Sequence, residues 1–259
     1  MGDWALVLGA SSGFGEATSL ALANAGFDVF GVHLDRRQTM HNVERIVGQI
    51  KGLGREAHFF NVNVADAEKR AATLDAIEGL RGGRPVRVLL HSVAFGALKP
   101  LVGETPDDSL SQAQIEMTLN VMASSLVYWT QDLVQRKLMG EGGRIFAMTS
   151  SGSNRAIACY GAVSAAKACL EAYIRQLAVE LAPRGITANA IRAGVTDTPA
   201  SRLIPGSEAI FAEARKRNPA HRLTTPVDVA SFIALMARPE TQWVSGNVVN
   251  VDAGEEIAG

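Results

Sequence analysis

Tyr160 and Lys167 stand seven residues apart, in a segment where Val163, Lys167, Leu170, Ile174, Leu177 and Leu181 step by three and four. Seven residues are two helical turns, about 10 Å of rise, and return to nearly the same face. A phenol and an ammonium can therefore line one site, provided the helix reaches back to Tyr160. The alternative is an incidental aromatic at a helix start. A second feature opens the chain, where the apolar run Ala5–Leu8 is followed by Gly9-Ala10-Ser11-Ser12-Gly13-Phe14-Gly15 and then by a helical stretch to Gly26. A glycine turn entering a helix lets backbone N–H groups approach a pyrophosphate, and the helix N-terminus favours its charge. The plainer alternative is a tight strand-to-helix turn without a ligand.

These residues need a frame. Short apolar runs at Ala5–Leu8, Asp28–His33, Ala57–Val62, Val86–His91, Arg144–Met148, Thr187–Ile191 and Asn247–Val251 read as buried strands. Between them lie stretches with helical spacing, among them Ile115, Leu119, Met122, Leu126, Trp129 and Leu133. Thr105-Pro106-Asp107-Asp108 and Thr225-Pro226-Val227-Asp228 each offer a cap, a first-turn proline and a carboxylate three residues after the cap. Seven strands alternating with helices imply a doubly wound α/β (Rossmann) domain over residues 1–259, with a parallel sheet covered on both faces. Ligands in such sheets bind beyond the carboxyl ends of the strands.

Composition narrows the function classes. The 259 residues are 47% hydrophobic and 20% charged, with a net charge of -1, ordinary for a globular protein and without general attraction to nucleic acid or an anionic membrane. Cys159 and Cys169 form no disulfide framework or zinc spacing and fit a reducing cytoplasm; Cys159 reads as a small buried thiol. His41, His58 and His221 lack metal-ligand spacing, so no metal is expected. No run approaches the roughly 18 apolar residues of a membrane helix. Met1-Gly2-Asp3 lacks a secretory start, and Leu6 stands where a myristoylation motif needs Ser or Thr.

Further motifs follow in order: Asn63-Val64 after the third strand, His91-Ser92-Val93-Ala94 after the fourth, Asn120, and Ala193-Gly194-Val195 with Thr198. With the glycine turn, Lys167, Gly246 and Val251-Asp252-Ala253-Gly254, this series resembles the short-chain dehydrogenase/reductase family over essentially the whole chain. The resemblance implies that Gly9, Ser11, Ser12, Gly13, Phe14 and Gly15 cradle a dinucleotide. It assigns Asn63 and Val64 to the adenine, and Ser92, Val93, Ala94, Gly194, Val195 and Thr198 to the rest of the cofactor. At the second strand's end, His33 stands where many NAD users carry Asp, followed by Asp35, Arg36 and Arg37. The arginines favour a 2′-phosphate and hence NADPH, with NADH the alternative should Asp35 turn inward to the ribose hydroxyls. Ser12, often Arg or Lys in NADP users, points the other way, and the arginines also fit a solvated loop.

The departure from the family is the placement of the phenol. The usual tyrosine lies four residues before the lysine, where this chain has Val163. The Tyr-x6-Lys spacing, Leu90-His91-Ser92-Val93-Ala94-Phe95-Gly96 and Arg155-Ala156-Ile157 before Tyr160 resemble the divergent enoyl-acyl-carrier-protein reductases of bacterial fatty-acid synthesis. Ser150 stands where their NADH-type members carry a second tyrosine, and the glycine turn, Ser150 and Tyr-x6-Lys together resemble their NADPH-dependent subgroup most. That resemblance implies reduction of the C2=C3 bond of a trans-2-enoyl thioester. Tyr160 would donate to the thioester oxygen and Ser150 would add a second donor. Lys167 would hold the nicotinamide ribose and lower the phenol's pKa, and Asn120 would hold a water in a relay to Lys167. It also implies a homo-oligomer, often a tetramer. The basic excess at Arg202, Arg215, Lys216, Arg217 and Arg222 could receive an acidic carrier protein or be a solvated face. A carbonyl reductase and a non-catalytic NADP(H) sensor are the rival readings.

Overall fold

The computed structural model describes residues 2–258. Seven strands, β1 (Trp4–Leu8), β2 (Asp28–His33), β3 (Ala57–Asn61), β4 (Val86–His91), β5 (Arg144–Thr149), β6 (Thr187–Ala193) and β7 (Val248–Val251), follow the seven apolar runs closely. They form one all-parallel sheet in the order β3-β2-β1-β4-β5-β6-β7. The order reverses between β1 and β4, which opens a crevice at their carboxyl ends.

Among the described residues eight α-helices complete the fold: α1 (Gly13–Asn24), α2 (Met40–Gly52), α3 (Ala67–Leu80), α4 (Gln112–Leu119), α5 (Ser125–Gln135), α6 (Gly161–Leu181), α7 (Ser207–Arg217) and α8 (Pro226–Met236). Strand side chains alternate between two cores. Trp4, Leu6 and Leu8 of β1 meet residues of α3, α5 and α6, whereas Ala5 and Val7 meet α1, α2 and α8. Each fully buried large aliphatic stabilises by about 1.5–3 kcal/mol, so both faces of the sheet hold the strand ends firmly. Among the described residues no helix is long and apolar enough to cross a membrane.

One local expectation fails and another is modified. Thr105 does cap, but only a single 3-10 turn over Pro106–Asp108; α4 starts later, at a Ser111–Gln114 capping box. The expected helix through Leu119 and Leu133 does run on without a non-helical residue, but it widens to a π-turn over Asn120–Ser124 between α4 and α5. Thr225 does begin a helix, with its full Thr225–Asp228 capping box at α8. Trp4 and Trp129 lie in the core, and Trp243 is 98% exposed.

Candidate active site

A cleft of about 580 Å³ runs along the carboxyl ends of the strands. One end is the glycine turn, where Gly9, Ser11, Ser12, Gly13 and Phe14 line the wall. Gly9 has φ +88°, and a Cβ there would come within 2.3 Å of the Ser92 carbonyl oxygen, so only glycine lets the β1 and β4 loops meet. Gly15 lies behind the wall; a Cβ on it would strike the Gly9 carbonyl at 1.9 Å. Asn42 of α2 donates to the Ser11 carbonyl and steadies the turn. Ser12 caps α1 with no side-chain bond among the described residues, which leaves first-turn N–H groups for a pyrophosphate. The residues present fit a dinucleotide.

At the β2 end the side chains fall differently from the sequence expectation. His33 and Asp35 line the cleft; Arg36 and Arg37 are exposed and do not. His33 Nδ1 pairs with Asp35 Oδ2 at 2.9 Å. Burial pushes the Asp35 carboxyl up, but hydrogen bonds from Ser11, Thr39 and His33 outweigh it and hold the group below the ordinary carboxylate range. Burial lowers His33, which keeps its ring neutral near pH 7. Asn63 and Val64, then Ser92, Val93 and Ala94, continue the lining.

The opposite end gathers Ser150, Tyr160, Lys167, Gly194, Val195 and Thr198. Tyr160 lies just outside α6 as its N-cap, with φ -105° and ψ 4°, so it does not extend the helical face. The chain reverses there: Cys159, before it, has φ 58° and is half-exposed rather than buried. The ring lies on Gly152, where a Cβ would approach it to 2.6 Å. Burial raises the Tyr160 phenol above its ordinary value, while hydrogen bonding with Ser150 opposes this. Lowering by Lys167 is thus not the dominant effect, and the phenol is kept protonated as a donor. Lys167 is 5% exposed and donates to the Met148 carbonyl at 2.8 Å. Burial pulls its ammonium down to about 8, with Glu171 opposing.

Asn120 is exposed at the start of the π-turn and lies outside the cleft lining, because the wider turn brings Val121 and Met122 to the wall instead. Asn120 therefore does not share the cleft lining with Lys167. His91 sits behind the wall: its Nε2 pairs with Ser125 Oγ at 2.8 Å, and Ser125 donates to the Val121 carbonyl at 2.8 Å. The serine proton is committed, so His91 donates from Nε2. Burial and the nearby Lys167 push it down to about 3, so it is neutral.

The position four before Lys167 is also decided. Val163 is buried in the wall, and Gly96 lies so close that a Cβ there would meet Val163 at 2.5 Å and Met122 at 2.9 Å. Beyond Tyr160 the lining turns apolar, with Leu203, Ile204, Ile210 and Phe211 from the segment entering α7. Sequence reasoning missed these four; their spacing with Ser207 at three- and four-residue steps was the available signal. The basic excess nearby is largely paired, Arg202 with Asp197, Arg217 with Glu255 and Arg222 with Asp228. Among the described residues no cluster of three or more His, Cys, Asp or Glu could hold a metal ion.

A glycine-lined crevice at the strand-order reversal, with a phenol and a buried lysine at its far end, defines an NAD(P)H-dependent oxidoreductase. The chain belongs to the short-chain dehydrogenase/reductase family, close to its enoyl-acyl-carrier-protein reductases: the family described as Enoyl-(Acyl carrier protein) reductase matches residues 9–256. It is 30% identical, over 96% of this chain and 93% of the relative, to the enoyl-acyl-carrier-protein reductase (NADH) FabI of Nostoc sp.. It is also 30% identical to a short-chain type dehydrogenase/reductase of Picea abies, over 98% of this chain and 92% of that one. The crystal structure of the Bacillus cereus enoyl-acyl carrier protein reductase with NADP+ and indole naphthyridinone is similar at a TM-score of 0.89 and 27% identity, covering 100% of this chain and 98% of that one.

Proposed function

We propose that the protein reduces the C2=C3 double bond of a trans-2-enoyl thioester carried by an acyl carrier protein in the cytoplasm. One observation carries this reading. The cleft holds a protonated phenol at Tyr160 beside Ser150, while the position four residues before Lys167 is the buried, apolar Val163. In carbonyl reduction hydride adds to the carbon whose oxygen is protonated. In conjugate reduction it adds two atoms farther out, so the oxygen to be stabilised lies farther from the nicotinamide. A phenol displaced from the usual position suits the second geometry.

A bound reduced nicotinamide would supply the hydride. Tyr160 donates to the thioester oxygen and stabilises the developing enolate, with Ser150 holding the phenol in place. Lys167 holds the ribose hydroxyls through its ammonium. Leu203, Ile204, Ile210 and Phe211 cover the acyl chain and exclude water.

The β2 end supports NADH over the NADPH favoured by Arg36 and Arg37 in the sequence. Asp35 lines the cleft as a carboxylate, and Lys167 is the only Lys or Arg among the lining residues. A carboxylate accepts ribose hydroxyls and repels a 2′-phosphate. The activity is tested by incubating the protein with crotonyl thioester and each reduced cofactor, and identifying the product by mass spectrometry. Saturated thioester is expected, faster with NADH. Turnover of acetoacetyl thioester alone would return the chain to the carbonyl reductases, and no turnover of either would favour a sensor.

A further inference from the structure

Behind Lys167 lies a buried charge pair that the chemistry above does not use. Glu171 follows Lys167 by one turn of α6. Its Oε1 accepts from Thr149 Oγ1 at 2.7 Å and from Arg192 Nη2 at 3.0 Å. Thr149 and Arg192 are register partners on β5 and β6. The same Nη2 donates to Ser153 Oγ at 3.1 Å, in the turn that follows Ser150. One carboxylate and one guanidinium thus tie together α6, two strand ends and the turn beneath Tyr160. Stability alone is a weak account of the pair, since apolar replacements of buried ion pairs are often neutral or stabilising.

We propose that Glu171 and Arg192 are positioning residues that hold Lys167 in place and, by their opposed charges, set the pH range over which its ammonium serves the cofactor. The carboxylate favours the ammonium against burial, and by Coulomb's law the guanidinium bonded to that carboxylate acts against the ammonium. The other groups facing Lys167 leave the balance to this pair. His91 from β4 is neutral, its value pushed down to about 3. Tyr160 at the start of α6 is kept protonated by burial. From the intervening turn, Arg155 is paired with Glu256, and β5 presents the Met148 carbonyl.

The inference rests on the reading of Lys167 as the ribose-holding ammonium, which the enoyl and carbonyl reactions share. Its test therefore reads cofactor binding, not substrate choice. Affinity for NADH and for NADPH is followed by fluorescence from about pH 6 to about pH 10 in variants shown to melt cooperatively. In the wild type, affinity falls as pH rises and the ammonium is lost. In Glu171→Gln, which keeps hydrogen-bonding capacity but leaves Arg192 unopposed, the fall sets in roughly one unit lower. In Arg192→Gln, which leaves Glu171 unopposed, it sets in higher. Glu171→Asp keeps the charge and brings the fall back toward the wild-type position. Shifts of opposite sign are the signature, because a purely structural pair would weaken binding without moving the two variants apart. Shifts in the same direction, or none, overturn the proposal. Should Glu171→Gln not fold, the upward shift of Arg192→Gln decides alone. Loss of turnover with every thioester at unchanged binding limbs would sink the enoyl reading and leave this one standing.

Discussion

Burial acts in opposite directions on Tyr160 and Lys167. Burial raises a neutral acid and lowers a cationic one, so the phenol stays protonated through neutral pH while the ammonium falls to about 8. Tyr160→Phe is expected to lower turnover by about 10²–10³-fold, the usual cost of one oxyanion donor, with reduced-cofactor affinity nearly unchanged in fluorescence titration. Wild-type turnover in that variant would remove the phenol from the mechanism. Lys167 carries a second consequence. Its folded value lies below the ordinary 10.5, so between about 8 and 10.5 the unfolded chain binds more protons and stability rises with pH. Denaturant melts should show wild type gaining stability relative to Lys167→Met across that window, while its cofactor affinity falls. Both residues were named from the sequence, but the helical spacing that joined them is not what brings them together: Tyr160 caps α6 from outside and reaches the cleft lining through the turn at Cys159. The opposing pKa directions were not legible, because they depend on burial that no spacing records.

At the scale of the element, the strand ends decide what reaches the cleft. β1, β2, β4, β5 and β6 were readable as short runs buried on nearly all positions, whereas the edge strands β3 and β7 are only partly buried and were readable by their apolar residues alone. The π-turn over Asn120–Ser124 was not, since one extra residue leaves the three- and four-residue stepping on either side intact. That turn moves Asn120 out of the cleft and places Val121 and Met122 in its wall. The β2 end was ambiguous in sequence because His33, Asp35, Arg36 and Arg37 all follow one strand, and only the backbone path decides which side chain points inward. A charge-assisted contact is worth about 1.5–3 kcal/mol, roughly ten- to a hundredfold in affinity. Asp35→Ser should therefore raise the Michaelis constant for NADH at least tenfold. Replacing Arg36 and Arg37 with Ala should leave it nearly unchanged. A large loss of NADPH use in the arginine double variant, with wild type preferring NADPH, would instead place the arginines on a 2′-phosphate.

For the whole molecule, one sheet joins two distant tasks. Its β1–β4 reversal holds a dinucleotide cradle, and its β5 and β6 ends meet α6, which carries Lys167 and Glu171 and has Tyr160 at its N-cap. Beyond β6, Trp243 at 98% exposure and Ile257 at 86% flank the β7 edge. The family resemblance implies a homo-oligomer, and this edge is where one is expected: light scattering should report a mass well above the 27.4 kDa of one chain, reduced by Trp243→Glu. A monomeric wild type would contradict that expectation. The displaced phenol is proposed to select carbon–carbon over carbonyl reduction. An equimolar mixture of crotonyl and acetoacetyl thioesters, given limiting reduced cofactor, reads that selection as a product ratio. A large excess of butyryl over 3-hydroxybutyryl thioester is expected; an equal or reversed ratio would take that selection away from the phenol.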